Sequence, residues 1–283
     1  MVKVSIVQMK SSLDKEENLL YSLEQIKESA KNSAKVICFP EFQMSFSPST
    51  QSSEELYSLS ESIDGNFISQ LKKSARENDI FVVSSIYERA NSKLKNNRQN
   101  QKKFLNRNSH RVFDTVVLIN NQGRLVSHYR KLHLYDALGF KESDKLLAGS
   151  ELFKPVPSPL GKTGTLICYD LRFPELSRIL TLKGSVSLIA PSAWVQGTMK
   201  EDHWLIMCKA RAIENGVYLI APNQIGNIFC GRSLVVDPFG VVVLDMGNKE
   251  GFDIVDLDLD RINLIRKSLP LLKNRRQDLY KII

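Results

Sequence analysis

The stretch that decides the fold is Thr163-Gly164-Thr165-Leu166-Ile167-Cys168-Tyr169-Asp170-Leu171-Arg172-Phe173-Pro174-Glu175-Leu176. Its first five residues read as a strand. Phe173, Leu176 and Leu180 then recur at helical spacing, and Pro174 suits a helix's first turn, where no backbone donor is missed. The alternation continues on both sides. Upstream, strand Val4 to Met9 precedes a helix over 14–31, opened by the capping box of Asp14 and Glu17. A buried-type strand follows at 36–39, stopped by Pro40, then a helix marked by Phe67, Ile68, Leu71 and Ala75, then strand Ile80 to Ile86. Val112–Ile119 and Leu125–Tyr129 form a hairpin across Asn120-Asn121-Gln122-Gly123. Downstream come strand Val186–Ala190, a helix from Trp204 to Asn215 ending at Gly216, and strands at 217–221, 233–236, 241–244 and 254–257. Crossovers mixed with hairpins predict an α/β layered protein with mixed sheets.

The chain has 283 residues, 42% apolar and 25% charged, the composition of a globular protein. That excludes disorder, collagen-like repeats and a small disulfide scaffold. No apolar run is long enough to span a bilayer, so no membrane is expected. Residues 1–8 lack the pattern of a signal peptide. The four cysteines, Cys38, Cys168, Cys208 and Cys230, include no close pair, which points to a reducing cytoplasm. The net charge is +8, from 39 Lys and Arg against 31 Asp and Glu. Seven of the cations (Lys93, Lys95, Arg98, Lys102, Lys103, Arg107 and Arg111) fall within 91–111, which has no acidic residue. Without them the rest stands at 32 against 31. The segment reads as an exposed hairpin insertion, and its single Phe argues against base stacking.

Three segments carry candidate chemistry. Cys168 sits at a strand-to-helix turn, where backbone donors and the helix dipole favour thiolate, and the Tyr169 amide could point at an oxyanion. Glu41, in Phe39-Pro40-Glu41-Phe42, follows a buried strand, where a partnered carboxylate could act as a base. Lys131, in Tyr129-Arg130-Lys131-Leu132-His133-Leu134, follows another strand whose alternation can send it inward. There it would pair Glu41, lower the Cys168 pKa and stabilise an oxyanion. His133 and His203 read as structural hydrogen-bonders. Asp256, Asp258 and Asp260 read as one strand face without a calcium loop, Trp204 as core or pocket wall, and Arg172 and Glu175 as ion pairs behind the cysteine turn. No phosphate-binding glycine loop is present.

Together these segments resemble the nitrilase superfamily of carbon–nitrogen hydrolases. Further matches are Phe140-Lys141-Glu142-Ser143, Pro191-Ser192-Ala193-Trp194, the segments 202–204 and 210–215, Gly231 to Gly240, and Arg275 to Tyr280. The resemblance covers essentially the whole chain. It implies one domain over 1–283, a four-layer α-β-β-α sandwich of two mixed sheets, with a C-terminal extension from about 260. It implies Glu41 as general base, Lys131 as oxyanion stabiliser and Cys168 as nucleophile. Glu142, Tyr169, Ser192 and Trp194 are the implied substrate-binding residues. The reaction implied is hydrolysis of a small linear amide through a cysteine thioester, needing water but no metal or cofactor. Members usually form homodimers. The motifs look closest to ω-amidases and deaminated-glutathione amidases, and Tyr169-Asp170 after the cysteine argues against a true nitrilase. Two departures stand out: the loop Val195 to Glu201 is unlike that of those amidases, and Asp114 replaces their usual Asn. A rival reading is an idle scaffold whose basic insertion contacts nucleic acid or anionic lipid; the intact trio counts against it.

Overall fold

A computed structural model describes residues 1–90 and 110–280. The predicted insertion therefore lies outside the described residues, apart from His110 and Arg111. Among those described, two six-stranded mixed sheets form the body. The first contains β1 (Val2–Gln8), β2 (Val36–Cys38), β3 (Phe81–Arg89), β4 (Val112–Ile119) and β5 (Leu125–Arg130). Strands β1, β2 and β3 are parallel neighbours, and β4 and β5 continue antiparallel. The second runs through β6 (Val156–Ser158), β7 (Gly161–Thr165), β8 (Ser187–Ile189) and β9 (Tyr218–Ala221). It too has a parallel centre of three strands, β7, β8 and β9. Beyond the small hairpin β10 (Ile225–Gly226) and β11 (Phe229–Cys230), β12 (Leu234–Val236) and β13 (Val242–Asp245) extend the second sheet. The last strand, β14 (Gly251–Leu257), returns to pair with β1 along its whole length.

Strand alternation explains the layers. Val4 and Ile6 of β1 and Val116 and Leu118 of β4 face Ile189, Ile220 and Val235 of the other sheet. Val7, Ile37, Val82 and Val117 face the opposite way, toward α1 (Lys15–Lys31) and α3 (Asn66–Glu77); α2 (Ser53–Leu59) lies between these helices in sequence. Each inner strand is thus buried on both faces, which is why it reads as a near-continuous apolar run. On the far side, α4 (Pro174–Leu182) and α5 (Lys200–Asn215) cover the second sheet through Leu176, Leu180, Trp204 and Ala212. Pro174 opens α4, and Asp14 caps α1 by accepting the amides of Glu16 and Glu17. The result is the α-β-β-α sandwich.

One local expectation is corrected. Asp260 is not on the strand with Asp256: β14 ends at Leu257, and Asp260 begins α6 (Asp260–Ser268), its amide donating to Asp258 Oδ1. Among the described residues, no helix is long and apolar enough to cross a membrane.

Candidate active site

Glu41, Lys131 and Cys168 leave three different strand ends and meet between the sheets. Pro40 stops β2, and Phe42 takes a left-handed φ of 59°, so the chain turns and leaves the Glu41 side chain inside, 1% exposed. Lys131 follows β5, where the two-residue period puts Tyr129, Lys131 and His133 on one side. Its Nζ donates to Glu41 Oε1 at 2.8 Å and reaches both oxygens of Glu142 at 2.9 Å. The remaining oxygen of Glu41, Oε2, accepts the Ala193 amide at 2.8 Å. Glu142 opens a short 3-10 turn, and its Oε2 also accepts the Tyr135 amide at 2.7 Å.

Cys168 sits at a left-handed φ of 41° and starts a 3-10 turn over Cys168–Arg172. Its amide donates to the Pro191 carbonyl at 3.0 Å. Asp170, buried, locks this turn. Its Oδ2 accepts the Ile167 amide and the Tyr129 hydroxyl, and its Oδ1 accepts the His133 amide and lies 2.6 Å from His133 Nδ1. Phe173 stacks on the other side of the His133 ring. His133 is thus the structural hydrogen-bonder expected of it.

The electrostatics correct one expectation. Burial first, and then the negative charge of Glu41, push the Cys168 thiol well above its ordinary range, with Lys131 pulling the other way. That direction favours the thiol over the thiolate. The physical reason is burial beside the Glu41 carboxylate, which outweighs the opposing pull of the Lys131 ammonium. Burial pulls the Lys131 ammonium down, but Glu142 and Glu41 together hold it well above its usual value. Burial raises Glu142 despite the ammonium beside it.

A cavity of about 690 Å³ opens onto Cys168 and Glu142. Tyr169 and Trp194 line it, as expected of substrate-binding residues, and so do Phe42, Tyr87, Tyr135 and Phe229. Ser192 does not: it is buried, and its hydroxyl turns back to the Ala190 carbonyl at 2.9 Å. Arg172 is not paired with Glu175. Its guanidinium lies over the Trp194 ring, 4.6 Å from the centroid, on the cavity wall. Lys145 and Lys200 also line the cavity, and Lys200 bonds the Tyr135 hydroxyl. The sequence marked neither Lys145 nor the Ala193 amide as part of a site, whereas Lys200 belongs to the divergent loop Val195 to Glu201.

The family model for carbon–nitrogen hydrolases matches residues 3–267. The chain belongs to the carbon–nitrogen hydrolase family. Among the relatives of this hydrolase, the deaminated glutathione amidase of Bos taurus is 34% identical over 288 residues, covering 98% of this chain and 83% of that protein. The solved structure of the C. elegans NitFhit protein superposes with a TM-score of 0.87 at 27% identity, over 99% of this chain and 66% of that one. Saccharomyces cerevisiae Nit3, described as a member of branch 10 of the nitrilase superfamily, gives 0.80 at 29% identity, over 97% and 96%. This carbon–nitrogen hydrolase is therefore an enzyme of the nitrilase superfamily that acts on non-peptide C–N bonds, amidase-like in kind.

Proposed function

We propose that the enzyme hydrolyses a small linear amide through a thioester on Cys168. The observation that carries this reading is the Lys131 ammonium held between Glu41 and Glu142, the latter lining the same cavity as Cys168. Because the thiol form is favoured, attack needs a base, and Glu41 is the buried carboxylate placed to serve. Glu41 takes the proton as Sγ bonds to the amide carbon, and the carbonyl π pair moves onto oxygen. Lys131 and the Tyr169 amide stabilise that oxyanion. Glu41 returns the proton to nitrogen, the C–N bond breaks, and ammonia or an amine leaves. A water molecule, giving its proton to Glu41, then attacks the thioester carbon, and the thiol leaves reprotonated. Glu142 fixes the Lys131 head and borders the substrate.

Lys145, Lys200 and Arg172 around the cavity favour an amide that also carries an acidic group. Deaminated glutathione, named in the bovine relative's activity, is such a compound. The deciding experiment is an ammonia-release screen over ω-amides, deaminated glutathione, carbamoyl amino acids and simple nitriles. We expect release from an acidic ω-amide; release from nitriles alone would overturn the reading. The scaffold alternative has no support among the described residues, since its insertion lies outside them. A homodimer remains part of the proposal, supported by Ile206 and Ile213, exposed on α5; sedimentation checks it. Four free cysteines support a reducing compartment, the cytoplasm.

A further inference from the structure

Asp114 belongs to no role assigned so far, yet it adjoins the centre of the site. It lies on β4 opposite Tyr87 of β3, and its carbonyl accepts the Lys131 amide at 2.9 Å. The side chain is 1% exposed. Its Oδ2 stands 3.9 Å from Lys131 Nζ, beyond hydrogen-bond reach, and no group donates to it. The ionisable groups around it are Glu41, Lys131, Glu142 and Tyr87, with Cys168 beyond Glu41 and Lys131.

Three carboxyls therefore share one ammonium, and that ammonium is already engaged by Glu41 and Glu142. Were all three ionised, the cluster would hold two uncompensated negative charges away from water, and burial makes that unfavourable. The Asp114 and Glu41 carboxyls both lie within 3.9 Å of the one Lys131 ammonium, so they are close neighbours. Two carboxylates repel, but one proton between them turns the same contact into a charge-assisted bond.

We propose that Asp114 is kept as the neutral acid and donates its proton in a hydrogen bond to Glu41, making it a positioning residue for that base. Burial and the charge of Glu41 push its carboxyl well above the ordinary range, the direction this requires. The bond narrows the orientations of the Glu41 carboxylate and adds no charge to the pocket. It also sets a pH limit: when Asp114 loses its proton, Glu41 loses a donor and faces a second anion, so turnover falls as pH rises. The positioning role rests on the proposed use of Glu41 as base; the protonation does not.

Infrared difference spectra of the intact protein, with isotope-labelled aspartate, test the protonation at neutral pH. Wild type should show a carboxylic-acid carbonyl band that Asp114→Asn lacks; absence of that band in wild type would overturn the proposal. Kinetics on an amide from the ammonia screen test the positioning. Asp114→Asn, which keeps a donor without an ionisable proton, should hold kcat within about threefold and extend activity to higher pH. Asp114→Ala should lower kcat about tenfold, the worth of one hydrogen bond, with KM little changed. Asp114→Asn as impaired as Asp114→Ala, or Asp114→Ala with the wild-type rate and pH profile, would also overturn it. If no amide is turned over, the catalytic reading fails while the infrared band still decides the protonation.

Discussion

The Tyr129 hydroxyl donates to Asp170 Oδ2 at 2.8 Å, and this bond ties the strand leading to Lys131 to the turn that presents Cys168. His133, on the same side of the chain as Tyr129, binds the other oxygen of Asp170. One buried carboxylate thus ties the segment carrying the Lys131 ammonium to the turn carrying the Cys168 thiol. Nothing in it touches the cavity, so its effect on chemistry is through position.

Replacing Asp170 with Ala should therefore damage stability and rate together. It orphans the Tyr129 hydroxyl and the Ile167 and His133 amides. At about 1–3 kcal/mol for each orphaned buried group, the total is on the order of 3 kcal/mol or more. For a domain of this size that lowers Tm by roughly 6–12 °C. Thermal melts followed by circular dichroism check it, and a wild-type Tm would show the strap to be idle.

Cys168→Ala should eliminate ammonia release from any accepted amide while leaving the melt and the oligomer unchanged, because the change removes one sulfur at the cavity edge. Persisting turnover would move the chemistry elsewhere.

Iodoacetamide should modify Cys168 before Cys38 and Cys208, since Cys168 lines the cavity whereas those two are fully buried. With the thiol held up, the reaction needs a proton acceptor. Glu41→Gln should therefore slow alkylation by about tenfold or more at neutral pH. Mass spectrometry over a time course reads both effects; equal rates in the two proteins would remove Glu41 from the role of base.

Lys131→Met should cost about 3–5 kcal/mol by leaving Glu41 and Glu142 buried without their cation. The loss should depend on pH. Burial already raises Glu142, and without the ammonium nothing opposes it. A carboxyl whose folded pKa lies above its unfolded value contributes stability that is present below the unfolded pKa and lost as pH rises through the folded one. The variant should therefore melt higher at about pH 5 than at about pH 8. Urea titrations at the two pH values test this, and the reverse order would contradict it.

Much of this site was legible in the sequence because its chemistry follows strands. Glu41 and Cys168 each stand just beyond an apolar run and Lys131 just beyond a mixed strand, where alternation brought it inward with Tyr129 and His133. The layers were legible for the same reason: strands buried on two faces are mostly apolar. What escaped depends on contacts without a local signature. The donor to Glu41 Oε2 is a backbone amide, which any residue at 193 would supply. Phe42 and Phe229 share the cavity wall from distant parts of the chain. Ser192 turns away because its hydroxyl bonds the carbonyl two residues before it, and Arg172 exchanges an expected carboxylate for the face of Trp194. The thiolate expectation left out the burial of Cys168 and the Glu41 carboxylate beside it, neither of which has a local signature in the sequence.

The Ala193 amide on Glu41 and the Gln224 side chain on the Glu41 carbonyl join residues 152 and 183 positions apart. A chain made from its N-terminus delivers Glu41 and Lys131 first, Cys168 later, and these last two partners after all three. Contacts of such separation close late in folding. Until they close, the cysteine is an ordinary thiol with no base beside it. On the proposed mechanism, the growing polypeptide should therefore be inert toward amides until these contacts close.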